Sequence, residues 1–374
     1  MDILDTPCLL LDRPILEQNI DRMLAHTSQL GVDLRVHIKT SKCADVARMV
    51  VDRGGVGITV STVKEAIHFF ELGFTDLVYA VGVVPSKLDR LADLIRRGAR
   101  VKLTVDSTEM ATAVVSYADE ADVGFDVLIE VDTDGHRMGV EPDGQDFLKI
   151  ASLFAGSKQI RLCGILAHAG ESYRCTSPEE IAIHAEQERR LSCVASQALR
   201  DSGMECSVVS VGSTPTITFA ANLNGISEVR PGNFVFFDLF QAGLGVCRIK
   251  DIAVRVLTTI IGRNESTNRL FVDAGALALS KDLGTRGQDV DQRFGLVRES
   301  IGMRDELIVT EVSQEHGTIT TRSGEKLDFD RFPIGSQLTL LPVHSCMTSA
   351  AYDGYHVVDS EGTVEAFWQR CNGW

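Results

Sequence analysis

Positive charge is scarce in this chain, and so are long apolar runs. Lys and Arg number 37 against 52 Asp and Glu in 374 residues, a formal net charge of -15. Phosphate backbones are bound by clustered Lys and Arg, so this balance argues against a nucleic-acid partner. No apolar stretch reaches the roughly 18 residues that a membrane span needs. No CxxC occurs among the nine cysteines. An odd count without regular spacing, in apolar surroundings such as those of Cys163, Cys193 and Cys247, reads as reduced, buried thiols rather than a disulfide framework. Residues 1–7 are acidic and poor in apolar side chains, unlike a signal peptide, so the cytoplasm is the expected location. Repeats, low-complexity tracts and flexible linkers are missing too. No strand is followed by GxGxxG opening a helix, which removes the strongest support for an open doubly wound sheet.

What is present is an ordinary globular composition, 44% hydrophobic and 24% charged. That length accommodates one large domain and a smaller one. Short β-branched runs at 34–37, 57–60, 77–81, 101–105, 127–131, 162–168, 207–211 and 228–230 predict strands. Helical apolar spacing between them predicts helices at 14–30, 62–72, 86–97, 108–118, 145–154 and 178–202. This alternation fits an α/β fold, a (β/α)8 TIM barrel over residues 13–245. Beyond 245 helical periodicity fades. Runs at 249–261, 269–272, 306–314, 317–321, 337–341 and 355–358 predict an all-β domain over 246–374, joined by the strand in 1–12.

In such a barrel, chemistry lies at the C-terminal ends of the strands. There the chain places His37 and Lys39, then His136 and Arg137, His168 and Gly170, Gly212-Ser213-Thr214-Pro215, and Arg230-Pro231-Gly232-Asn233. A single strand-end histidine or Gly-Ser turn is usually structural; five such segments at one rim carry more weight. Together they suit a phosphorylated aldehyde cofactor. Lys39 supplies the amine that condenses with the aldehyde. The two glycine-bearing loops offer backbone N–H groups and hydroxyls to the phosphate. Arg137 suits the anionic ring oxygen, and His168 suits the face of the pyridine ring. His344 and Cys346, at period two on an expected strand, share one face and suit one ion. Imidazole with thiolate favours zinc, with manganese or magnesium open; a buried His beside a buried Cys is the plainer alternative. Asp353 is a weaker third-ligand candidate, and Asp282 reads as part of a turn, with a place facing a partner subunit's site as the alternative.

The segments Asp132-Thr-Asp-Gly-His-Arg-Met-Gly139 and Arg230-Pro-Gly232, with the early lysine, resemble the pyridoxal-phosphate barrel of alanine racemase. Thr6-Pro7, His37-Ile-Lys39-Thr40, Gly57-Ile-Thr-Val60, His168-Ala-Gly170 with Ser172-Tyr173, Val211-Gly-Ser-Thr-Pro215, Asp273-Ala-Gly275, and Leu341-Pro-Val-His-Ser-Cys346 narrow the resemblance to the D-serine dehydratase and D-threonine aldolase group. It spans almost the whole chain.

The resemblance implies pyridoxal 5'-phosphate bound covalently by Lys39. It implies that Tyr173, Thr214, Gly232 and Asn233 hold the cofactor, mainly its phosphate, and that His344 and Cys346 bind a divalent metal. Arg230 matches the arginine facing the ring nitrogen. The substrate is then a 3-hydroxy-D-amino acid, D-serine or a relative, and the protein a homodimer. A metal beside the cofactor argues against racemisation. His-x-Cys favours the dehydratases over the aldolases, which tend to show His-x-Asp. Aldol cleavage to glycine and an aldehyde is the runner-up, and a non-catalytic cofactor-binding protein the third reading. Val343, where the group often has Asn, and Leu166, where some relatives carry a tyrosine, are departures that bear on substrate choice.

Overall fold

The computed structural model describes residues 4–300 and 306–374. Residues 1–3, assigned above to the β domain, lie outside the described residues. The chain forms two compact units, residues 21–232 with 373–374, and residues 1–20 with 233–372. Strand β1 (Cys8–Asp12) leads into α1 (Arg13–Gln29), where the Asp12 carboxylate accepts the Ile15 N–H at 3.2 Å and caps the first turn.

The larger unit is a parallel barrel. Its strands are β2 (Asp33–Leu34), β3 (Val36–His37), β4 (Ile58–Val60), β5 (Asp76–Gly82), β6 (Arg100–Val105), β7 (Phe125–Val131), β8 (Ile160–Ala167), β9 (Val208–Val211) and β10 (Glu228–Val229), hydrogen-bonded in the order β2-β10-β9-β8-β7-β6-β5-β4-β3. Between them run α2 (Ala44–Asp52), α3 (Val63–Glu71), α4 (Pro85–Arg96), α5 (Thr108–Ala121), α6 (Gln145–Gly156), α7 (Pro178–Asp201) and α8 (Thr214–Phe219). Helix starts follow local chemistry. Thr62, Ser107 and Ser177 each accept the N–H three residues on, at α3, α5 and α7; such a cap stabilises by about 1 kcal/mol. Strand interiors such as Leu103, Val127, Leu128 and Ile165 are fully buried.

The expected first strand is two pieces, β2 and β3, interrupted at Arg35. One piece pairs with β10 and the other with β4, so the interrupted strand closes the ring. Arg35 is 3% exposed and bonds Glu228 and Asp76, each at 2.9 Å. A buried charge is tolerable only when paired in this way. Burial works against the Asp76 carboxylate, yet Arg35 and Lys102 hold it below the usual range.

The smaller unit is one sheet built on β1. It adds β11 (Val254–Asn264), β12 (Arg269–Val272), β13 (Leu296–Val297), β14 (Leu307–Val312), β15 (Gly317–Thr321), β16 (Gln337–Leu341), β17 (Gly354–Val358) and β18 (Val364–Gln369), in the order β12-β15-β14-β13-β16-β11-β1-β17-β18. β1 pairs antiparallel with β11 and parallel with β17, so the N-terminal strand lies inside the sheet. Short helices at Ala276–Leu279 and Ser345–Ser349 interrupt a region expected to be strand and turn alone. None of the nine cysteines is in a disulfide; Cys193 and Cys247 are half-buried rather than buried. Among the described residues no helix is long and apolar enough to cross a membrane.

Candidate active site

The barrel unit gathers an amine, two imidazoles and two guanidinium groups. Lys39 lies exposed in the turn that ends β3, its N–H 3.4 Å from His37 Nδ1. His37 is held in place from behind, its N–H donating to Pro231 O at 3.0 Å. Gly232 follows, and a Cβ there would stand 2.6 Å from His37 O. Only glycine lets the Arg230-Pro231-Gly232 segment lie this close to β3. His168 follows β8, its ring 6.3 Å from that of Tyr173. Burial holds both histidines well below their ordinary value, aided by Lys39 and Arg230, by Arg137 at His168, and by His168 at His37.

Arg230 is 5% exposed and donates to Ser210 Oγ and Ala167 O, both at 2.7 Å. Ser210 in turn donates to Glu228 at 2.6 Å, which also accepts from Arg35. Burial draws Arg230 down to about 10, against the pull of Glu228, Glu188 and Glu130, so it stays charged near neutrality. Arg137 is exposed in the loop after β7. That loop is tied to the turn after β8: Asp134 accepts the Glu171 N–H at 2.8 Å, and His136 Nδ1 meets Glu171 Oε1 at 2.8 Å.

The turn after β9 was expected to offer its N–H groups outward. Instead the Gly212 N–H donates to Glu188 Oε1 at 3.0 Å and the Ser213 N–H to Thr216 Oγ1 at 2.9 Å. Ser213 Oγ accepts the Thr216 N–H at 3.2 Å, closing a capping box that starts α8 at Thr214. Gly212 has φ +102, a conformation that glycine adopts without strain. Gly212 and Ser213 therefore shape the turn, with their amides engaged inside the barrel.

The β unit carries Asn233, His344 and Cys346. The strand expected beneath His344 and Cys346 is not there. β16 ends at Leu341, Pro342 supplies no N–H to continue it, and His344 is the residue before the short helix Ser345–Ser349. Asp238 fixes that start, taking the Ser345 N–H at 3.0 Å and its hydroxyl at 3.2 Å. Asn233 Nδ2 donates to Asp238 at 2.8 Å and Ser345 Oγ at 3.1 Å, with Cys346 Sγ at 3.9 Å. Its Oδ1 is buried without a hydrogen-bond partner. His344 Nδ1 is 2.6 Å from Asp282 Oδ2, a contact that orients the ring. Burial opposes its charge, yet bonds to Asp282 and Cys346, with the charges of Cys346 and Asp238, push His344 up to about 11. The Asp282 and Asp238 carboxylates beside this segment make surroundings that suit a cation. Asp353 does not complete a ligand set: among the described residues no three of His, Cys, Asp and Glu are grouped to hold an ion.

The partners that sequence reasoning missed are acidic. Asp282 was read as a turn residue, and Asp238, Glu188 and Glu228 were not singled out. Glu188 sits in Ala185-Glu-Gln-Glu-Arg-Arg190, which looks like a solvated helix face.

The two depressed histidines predict a pH dependence. An unfolded histidine protonates near 6.5, and these two resist it when folded. Stability of the cofactor-free protein is therefore retained above about pH 6.5 and falls as pH drops below it, by up to about 1.4 kcal/mol per unit for each histidine. Thermal midpoints from pH 7.5 to 5.5 measure the slope, and His168→Gln flattens it. A flat profile in the parent contradicts the assignment.

Residues 11–239 match the family model of the alanine racemase N-terminal domain, and residues 253–358 that of a putative serine dehydratase domain. The chain belongs to the alanine racemase N-terminal domain family. It is 42% identical to the D-threo-3-hydroxyaspartate dehydratase of Delftia sp. (strain HT23), over 99% of this chain and 98% of the relative. The solved structure of that enzyme matches with a TM-score of 0.95 over 99% and 98% of the two chains; a cysteine-to-alanine variant of the dehydratase has been solved in a metal-free form. The D-serine dehydratase of Dictyostelium discoideum is 32% identical over 96% of this chain and 95% of its own. D-threonine aldolase from Filomicrobium marinum is more distant, at 26% identity and a TM-score of 0.85 over 98% and 95% of the chains.

Proposed function

We propose that this protein is a pyridoxal 5'-phosphate- and metal-dependent dehydratase of 3-hydroxy-D-amino acids, releasing ammonia and a keto acid. The observation that carries the reading is the Lys39 cluster, an amine among His37, His168, Arg137 and Arg230, in a chain 42% identical from end to end to a D-threo-3-hydroxyaspartate dehydratase. These residues fit the cofactor: they set one amine and a local positive charge for a phosphorylated aldehyde in a protein of net charge -15. Lys39 holds the aldehyde, Arg137 the ring oxygen, and Tyr173, Thr214 and Gly232 the phosphate, while Gly212 and Ser213 set the turn that presents Thr214. His344 and Cys346 fit a soft divalent ion, zinc first. Asn233 supports the same segment through Asp238 and Ser345.

When bound, the cofactor draws electrons from Cα and the ion draws on the β-hydroxyl. The Lys39 amine takes the α-proton. His37 and His168, whose basicity burial depresses, are weaker bases than that amine. They leave the positive charge on Arg137 and Arg230, which orient anionic groups. Loss of hydroxide from Cβ would then complete the elimination, and water would hydrolyse the released enamine, through its imine, to keto acid and ammonia. A homodimer in the cytoplasm completes the proposal.

The runner-up, aldol cleavage, draws on the likeness to D-threonine aldolase. Product analysis separates the readings. Oxaloacetate from D-threo-3-hydroxyaspartate, pyruvate from D-serine and 2-oxobutanoate from D-threonine, each with ammonia, are the expected results. Glycine and acetaldehyde from D-threonine would replace dehydration by aldol cleavage. Tight cofactor binding without turnover of any of the three would leave a binding protein.

A further inference from the structure

Glu188 is buried in the middle of α7, 1% exposed. A carboxylate in that place is costly unless its oxygens are satisfied. Its Oε1 accepts two backbone N–H groups, from Ala169 at 2.9 Å and Gly212 at 3.0 Å. Those amides belong to different loops: Ala169 follows His168, and Gly212 precedes Ser213 and Thr214. The His168 ring is itself hydrogen-bonded to the backbone of Gly212. Burial pushes the Glu188 carboxyl up, opposed by those two N–H groups, by Arg230 and by Thr216, the capping-box residue that bonds the same carboxylate.

We propose that Glu188 is a positioning residue: one carboxylate clamps the loop after β8 to the turn after β9, and so sets the His168 ring and the start of α8 in register for the cofactor. This rests on the reading of the barrel as a pyridoxal phosphate seat. It also explains why the Gly212 N–H is not offered outward, because it is half of the clamp.

The test uses the full-length protein with its cofactor removed. Parent, Glu188→Leu and Glu188→Gln are titrated with pyridoxal 5'-phosphate, and the spectrum of the bound cofactor and each thermal midpoint are recorded. Losing a charge-assisted acceptor predicts that Glu188→Leu binds cofactor about 10- to 100-fold more weakly, with a shifted absorption maximum. The amide oxygen of Glu188→Gln still accepts both N–H groups and returns affinity to within about threefold of the parent. A folded Glu188→Leu with parental affinity and spectrum overturns the proposal. Should Glu188→Leu not fold, amide exchange in Glu188→Gln decides. The Ala169 and Gly212 amides keep matching protection in the parent and in Glu188→Gln if the clamp is real, and loss of protection at one amide without the other refutes it. A parent that binds cofactor but makes no keto acid sinks the dehydratase reading and leaves this comparison intact. A parent that binds no cofactor sinks the seat itself, and the exchange measurement still judges the clamp.

Discussion

Lys39→Ala is expected to abolish the absorption band of the lysine-bound cofactor and lower dehydration by at least about 10³-fold, while the protein stays folded. The loss is large because one amine is assigned two tasks, the covalent hold on the aldehyde and removal of the α-proton. General base catalysis alone contributes about 10²- to 10⁴-fold. Neither neighbour inherits the work: burial and nearby cations depress the basicity of His37 and His168, and neither has an aliphatic amine to bond the aldehyde. The fold is spared because the side chain is exposed in a turn. Substitutions at such sites usually change stability by no more than about 0.5 kcal/mol. Absorbance, ammonia release and a thermal melt, taken on one preparation, check all three parts. A variant that keeps the band would move the covalent role to another lysine.

Stripping the metal separates the two cofactors. A chelator, or Cys346→Ala, is expected to cut keto-acid release by at least about 100-fold and leave the Lys39-dependent band in place. The segments differ in their supports: Lys39 rests on β3 and its turn, whereas His344 and Cys346 rest on Asp282 and Asp238 in the other unit. Returning zinc, manganese or magnesium one at a time names the ion by the activity restored. Asp282→Asn gives the finer test. Losing a carboxylate that orients a ligating imidazole weakens metal binding by about 10- to 100-fold, so activity survives only at raised metal concentration. Activity indifferent to the chelator refutes the metal role.

The barrel was legible because parallel strands buried on both faces read as short β-branched runs, and the helices between them as periodic ones. The strand-end residues were legible for the same reason: once the strands are placed, Lys39, His168, Gly212 and Arg230 must follow them. The split of the first strand at Arg35 was not. Arg35 breaks the run because its partners, Asp76 and Glu228, arrive from β5 and β10, and nothing local announces them. The strand drawn through His344 and Cys346 failed at Pro342, whose missing N–H was in plain view but was outweighed by the apolar run before it.

By itself, then, the order of residues determined most of the barrel's strands and helices and which side chains stand at the strand ends. These depend on periodicity and caps, interactions that reach only a few residues along the chain. Tertiary structure alone decided which acids those side chains meet. Asp282 reaches His344 across 62 positions, and Glu188 joins two loops from a helix face that reads as solvent. A carboxylate looks the same in sequence whether it is hydrated or buried against two amides, because only folding removes the water.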